Sequence, residues 1–190
     1  MRPHRHLLAV ALLVFPLVAG AQQNAQPQSA KPQSAKQNGS VKGFRGEFLA
    51  NLEEVQEKIT DLAATVPADA YSWRPGEGVR SIGEVYMHIA GGNYFLATFL
   101  GVKTPADVPK DLEKITDKQR VLTELRKSFE FLRATVNKQS DVDLEKAVKL
   151  FGSQTTQRGV YITMLNHLHE HLGQSIAYAR MNGVAPPWSR

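Results

Sequence analysis

The feature that most constrains this chain is a row of apolar residues that begins at Phe44 and recurs at alternating steps of four and three residues. Such spacing places every member of the row on one face of an α-helix, whereas a half-buried strand would require strict alternation. The row therefore predicts a helix over 44–66 with one face turned to a core. Its members are Phe44, Phe48, Leu52, Val55, Ile59, Leu62 and Val66.

Two further helices are predicted from the residue pairs at their starts. Ser81 and Glu84 have the Ser-x-x-Glu spacing of a capping box, in which each side chain satisfies a free backbone N–H in the first turn. Thr116 and Gln119 have the same spacing and predict a second capping box. The predicted spans are about 82–100 for helix two and about 117–139 for helix three.

A fourth helical pattern follows an irregular stretch at 140–153. It resumes near Thr155 and persists until Asn182, where Gly183 can adopt the left-handed backbone conformation that ends a helix. The proline pair at 186 and 187 prevents its continuation. Four long helices and no alternating strand pattern predict an all-α fold, a four-helix bundle.

Aromatic residues near helix two are expected to pack on the bundle. Tyr71 and Trp73, in the loop before this helix, are predicted to fold back onto the bundle. Phe95 and Phe99, on the helix itself, are predicted to line its inward face together with Val85.

The segment 1–21 has the organisation of a cleaved signal peptide. Basic residues in MRPHRH precede an apolar run from Leu7 to Ala19, and small residues suited to a signal peptidase follow. The run is shorter than the roughly 20 residues that span a bilayer, and Pro16 interrupts it. We therefore expect export to the periplasm or secretion, with no stable membrane span after cleavage.

Residues 22–42 are rich in Gln, Asn, Ala, Pro, Ser and Lys, and the sequence PQSAK occurs twice in tandem. Such a segment offers too little apolar surface to fold, so we expect a disordered spacer before a single domain at 43–190. The chain has no cysteine, so an exported domain of this kind must be held together by core packing rather than by disulfides.

The charge of the chain does not favour nucleic acid as a partner. The formal net charge is +5, and it falls to +3 once Arg2 and Arg5 leave with the signal peptide. The remaining basic residues are scattered among acidic ones along the predicted helices instead of forming a basic stripe with interleaved aromatics. We therefore expect no nucleic-acid partner.

Histidines are the best candidates for chemistry. His167 and His171 are one helical turn apart on helix four and can grip one metal ion, whereas His169 should face away. His88 lies on the predicted inward face of helix two, where an unpartnered polar ring would be costly. Gly91 and Gly92 follow His88 and could let a neighbouring helix or a ligand approach closely.

A second interpretation of the helix-four histidines is an inverted zinc-peptidase motif. His167-Leu-His-Glu-His171 matches H-x-x-E-H, in which Glu170 would be the general base. Enzymes of that type need a further carboxylate ligand downstream, and no Asp or Glu follows Glu170. Short motifs of this kind also match by chance.

Two stretches resemble the DinB-like superfamily of metal-binding four-helix bundles: YSWRPGEGVRSIGEVYMHIAGGNYF from Tyr71, and HLHEHLGQSIAYARMNGVAPP from His167. The resemblance covers about 44–190. It implies that His88, His167 and His171 together bind one divalent metal ion, zinc or nickel. Some members of that family are thiol transferases, and the family name implies no DNA chemistry.

Two classes of function remain open from the sequence. In the first, the chain is a metal-dependent hydrolase or transferase acting on a small molecule, with Glu84 or Glu170 as a base or as a partner of a metal-bound histidine. In the second, it is a non-catalytic binding or structural module of the cell envelope that the ion stabilises. Homodimerisation through a face of the bundle is a third option.

Overall fold

A computed structural model describes residues 42–189, and the predicted signal peptide and nearly all of the predicted spacer lie outside that range. Four long helices account for most of the described chain, which confirms the prediction of a four-helix bundle. They are α1 Phe44–Thr65, α2 Ile82–Thr98, α3 Lys118–Lys138 and α4 Gln157–Met181.

The helices pack so that the first two occupy opposite corners of the bundle. Both α1 and α2 pack chiefly on α3 and α4. The apolar row of α1 is buried from Phe48 to Val66, and α2 is buried on most of its circumference. The position of α2 beside α4 is what brings the distant histidines together.

Within residues 42–189, no helix is both long and apolar enough to cross a membrane.

The predicted capping box of α2 is confirmed. The Ser81 side chain accepts a hydrogen bond from the Glu84 backbone N–H at 3.3 Å, and the Ser81 N–H donates to the Glu84 carboxylate at 2.6 Å. The predicted box at α3 is wrong: Asp117 caps that helix and accepts from the Arg120 N–H at 2.9 Å. A carboxylate one residue later is a better acceptor and favours the positive end of the helix dipole.

The stretch predicted to be irregular contains a small antiparallel hairpin. Strand β1 (Ala147–Leu150) pairs with β2 (Ser153–Thr156), and α4 begins directly after it with Thr156 as its cap. Each strand has four residues, of which two are exposed. Strands this short do not show the alternation of apolar and polar residues on which a sequence-based prediction depends.

The loop before α2 folds back as predicted. Tyr71 is buried and its hydroxyl donates to the Ala63 carbonyl at 2.7 Å, while the ring of Trp73 packs edge-on against that of Tyr178 with centroids 5.5 Å apart. Lys118 of α3 donates to the carbonyls of Ala64 and Val66 at 2.7 Å each. These bonds satisfy carbonyl groups at the end of α1.

The prediction that Phe95 faces inward is wrong, because Phe95 is 52% exposed. Phe99 is partly buried and packs against the core, which agrees with the prediction for that residue. Both rings contact Phe151 in the turn of the hairpin, with centroid distances of 6.1 and 5.9 Å.

Tyr71 and Tyr161 provide a matched pair for testing this packing. Tyr71→Phe removes the hydrogen bond to Ala63 and is expected to lower the free energy of unfolding by about 1 kcal/mol. The buried Tyr161 hydroxyl has no hydrogen-bond partner in the described structure, so Tyr161→Phe should leave stability unchanged or raise it. Urea titration of both variants measures the difference. Equal destabilisation by the two changes would contradict this assignment.

Candidate metal centre

Helices α2 and α4 bring the three predicted ligands together. The ring centroid of His88 lies 5.2 Å from that of His167 and 4.7 Å from that of His171, and the two α4 rings are 4.5 Å apart. One ring nitrogen from each histidine lies within 4.8 Å of the other two. In the range 42–189, this is the only group of three or more potential metal-ligand residues that come so close.

The approach of the rings depends on Gly92. A Cβ atom at this position would lie 2.2 Å from Cε1 of His167, far inside van der Waals contact. The expectation that a glycine after His88 admits a neighbouring helix is therefore confirmed for Gly92. At Gly91 an added Cβ would lie 3.6 Å from the Glu113 carboxylate, which is an ordinary contact.

Hydrogen bonds hold two of the imidazoles with Nδ1 turned away from the centre. Nδ1–H of His88 donates to the Glu113 carboxylate at 2.8 Å, and Nδ1–H of His171 donates to the side-chain oxygen of Gln174 at 2.8 Å. The Gln174 amide in turn donates to the Tyr178 hydroxyl at 3.1 Å. Because these acceptors place the proton on Nδ1, Nε2 of each ring keeps its lone pair for a metal ion.

The sequence did not reveal the partner of His88. Glu113 lies on a 3-10 turn, Leu112–Lys114, in the connection between α2 and α3, 25 residues from the histidine that it contacts. The only sign of this position in the sequence was the apolar pair Leu112 and Ile115 on either side of Glu113. Both side chains are buried and anchor the turn. Arg80 also reaches Glu113, at 3.4 Å, from the preceding loop.

The two acidic residues that the sequence suggested as partners of the metal-binding histidines form no side-chain hydrogen bond with those histidines in the described structure. Glu84 closes the capping box and pairs with Arg74 at 3.1 Å. Glu170 is exposed. His169 is exposed too, and its Nδ1 lies 2.8 Å from the Leu165 carbonyl, outside the group. The third residue beside the α4 pair is thus a histidine and not the carboxylate that an inverted zinc-peptidase site requires.

Burial keeps the α4 imidazoles uncharged. Desolvation, reinforced by the neighbouring His171, His88 and Arg80, lowers the pKa of His167 to about 4. Desolvation also lowers the pKa of His171 and outweighs the opposing hydrogen bond to Gln174. Both rings are therefore neutral at pH 7, which is the form that binds metals.

Glu113 is ionised beside them. Partial burial opposes its ionisation, but the hydrogen bond from His88 and the nearby Arg80 guanidinium outweigh burial, so the pKa of its carboxyl is lowered. The His88 ring therefore has a carboxylate behind it, an arrangement that raises the basicity of a metal-ligating imidazole.

The donor set fits a divalent transition-metal ion. Nε2 of His88 and Nε2 of His167 are 3.4 Å apart. Two nitrogens that share a tetrahedral zinc ion at about 2.1 Å stand about 3.4 Å apart, so this separation already suits such an ion. Three imidazole nitrogens suit zinc and nickel alike and leave coordination positions for water or substrate.

Comparisons with solved structures agree with this fold. A DinB-like protein from Bacillus cereus is 21% identical with a TM-score of 0.64, over 76% of this chain and 95% of that one. A DinB-like protein from Bacillus subtilis is 19% identical with a TM-score of 0.59, over 72% and 92%. A conserved protein from Enterococcus faecalis is 14% identical with a TM-score of 0.63, over 74% and 97%.

Comparison with curated protein sequences gives no significant match. The model of the DinB superfamily matches residues 51–175, which include all three histidines and most of the bundle. The chain therefore belongs to the DinB superfamily.

Proposed function

We propose that this protein is an exported metal-dependent enzyme in which His88, His167 and His171 hold one divalent ion, zinc or nickel. The observation that carries the proposal is the convergence of three imidazoles, two of them with Nδ1 already engaged by a hydrogen-bond acceptor. A bound ion of this kind supplies a Lewis acid that lowers the pKa of a bound water or thiol, which suits hydrolysis or thiol transfer to a small molecule.

An open site supports catalysis over a purely structural role. Structural zinc sites have four protein ligands in a closed tetrahedron, whereas catalytic sites have three and keep one position for water or substrate. Here three histidines meet, and the His88 side chain remains 24% exposed. Solvent and small molecules can therefore reach the ligand group.

The residues around the three histidines have different roles: two orient ligand rings and one adds positive charge. Glu113 orients His88 and supplies negative charge behind it, and Gln174 orients His171. Arg80, which pairs with Glu113 across the two connecting loops, adds a cation beside the site that can attract an anionic substrate or product.

A non-catalytic module is the second candidate. His88 lies on α2 and the other two ligands lie on α4, so one ion would cross-link two helices of the bundle. In that case chelation should lower the melting temperature while screens for hydrolysis and thiol transfer stay negative. For the enzyme, turnover should disappear with a chelator and with each His→Ala change in the triad.

Metal binding should depend on the three histidines of the ligand group. Protein purified from the periplasm should contain one divalent ion per chain. Replacing His88, His167 or His171 by alanine should lower affinity by more than the roughly 10–100-fold that loss of an outer-shell partner costs. His169→Ala is the matched control, because His169 lies on the same helix outside the group. Metal analysis and competition with a chromophoric chelator measure this. Equal losses from all four variants would contradict the triad.

Metal affinity should also depend on Glu113. Glu113→Ala leaves Nδ1 of His88 without its carboxylate acceptor, so metal affinity should fall roughly 10–100-fold while the bundle stays folded. Glu170→Ala, which removes an exposed acid next to His171 in sequence, is the control and should have little effect. Chelator competition measures both. Affinity that depends on Glu170 and not on Glu113 would assign the supporting carboxylate to the wrong residue.

The two adjacent glycines should respond differently to replacement by alanine. Gly92→Ala should displace the His167 ring and lower metal affinity, since the added Cβ would lie 2.2 Å from that ring. Gly91→Ala should keep the affinity and stabilise the helix by about 0.5–1 kcal/mol, because alanine is the better helix former. Parallel metal titration and thermal melts separate the effects. Unchanged metal binding in Gly92→Ala would show that the ring does not need this close approach.

A further inference from the structure

Three phenylalanines form a partly exposed aromatic patch: Phe95 of α2, Phe99 at the C-terminal cap of that helix and Phe151 of the hairpin turn. Phe95 and Phe99 meet edge-to-face with centroids 5.3 Å apart, and both contact Phe151. Phe95 is 52% and Phe151 68% exposed. Exposed clusters of apolar side chains on a monomer are often functional.

The position of Phe151 is unfavourable for the backbone. Phe151 and Gly152 form a two-residue turn between Leu150 and Ser153, with φ of 48° and 86°. Positive φ at both central residues is the type I′ arrangement, in which Asn or Asp followed by Gly is preferred. A bulky side chain at positive φ is strained, so an aromatic ring here has a conformational cost that asparagine would avoid.

The patch lies along the same face of α2 as the ligand residue His88. His88, Gly92, Phe95 and Phe99 follow one another at steps of four, three and four residues, so they lie in one stripe along α2. The His167 ring covers Gly92, and Phe95 is the next side chain in the stripe. At about 1.5 Å per residue, Phe95 lies about 10 Å along the helix axis from His88.

The size of the patch suits a small molecule. Since a phenylalanine side chain offers about 200 Å² of surface, the exposed parts of Phe95 and Phe151 amount to roughly 250 Å². A stable protein interface needs about 800 Å² on each partner, so the aromatic patch alone is too small for a second copy of the chain. A phenyl ring or short alkyl chain would fit it.

We propose that the aromatic patch binds an apolar, ring-containing part of the substrate while the reactive group of the same molecule meets the metal ion. This inference rests on the metal-dependent activity proposed above and names the class of its substrates: small molecules in which a polar, metal-binding group is joined by a short spacer to an apolar group.

The test compares two metal-binding probes on the metal-loaded protein. Acetohydroxamate has only the metal-binding group, and 5-phenylpentanohydroxamate adds a phenyl ring on a spacer that can reach the patch. The phenyl compound should bind about tenfold tighter, as expected for burial of much of an aromatic ring. Binding to the cobalt-loaded protein can be followed by its visible spectrum.

Variants assign the preference to the aromatic patch. Phe151→Asn should abolish most of the tenfold difference without lowering the melting temperature, because asparagine suits the turn better than phenylalanine. Affinity for acetohydroxamate should stay unchanged. Met181→Ser is the control, since Met181 is a 64% exposed apolar residue at the opposite end of α4 from the hairpin.

The possible failures are distinguishable. Protein that retains its metal but binds both hydroxamates equally would overturn the aromatic subsite and leave the proposed function standing. Protein that retains no metal would overturn both. Phe151-dependent sedimentation with phosphatidylcholine vesicles, or Phe151-dependent self-association, without a preference between the probes would assign the patch to a lipid or protein partner and overturn the subsite.

Discussion

The close approach of α2 to α4 is the constraint on which the metal centre depends. The imidazole of His167 occupies the space that a side chain at position 92 would fill, so the two helix backbones can stand close enough for His88 to meet the α4 pair. Packing alone would favour an apolar side chain at such a contact. The bundle instead accepts a glycine inside a helix, with its cost in helix propensity, and places three polar rings where α2 meets α4.

The parts of the structure that could be predicted from the sequence are those governed by local periodicity. The apolar row of α1, the Ser81 capping box and the one-turn spacing of the α4 histidines each depend on residues within a few turns of one another. Helix geometry is the same in every protein, so such spacing translates directly into position. His88 was a candidate because of its predicted inward position, but joining it to the α4 pair needed the resemblance to the DinB-like bundles, because no local rule connects histidines 79 residues apart.

The features that the sequence did not reveal depend on the path of connecting segments. Glu113 reaches His88 because the turn at Leu112–Lys114 is anchored by buried neighbours, and no periodicity describes that path. Phe95 was placed inward because apolar residues normally are, yet the hairpin offers its ring an aromatic neighbour at the surface. In both cases a tertiary contact decided the position of a side chain whose local sequence was neutral or misleading.

The long stretch of chain between the ligand residues also bears on the order of events during folding. The residues that join His88 to His167 include all of α3 and the hairpin, so the ligand group closes only when most of the chain has docked. Contacts between such distant residues form late, since closing a long loop costs entropy before any contact repays it. The three histidines would therefore bind an ion only once the bundle is almost complete. For a chain translocated before folding, the metal supply of the destination compartment, rather than that of the cytosol, would determine which ion it carries.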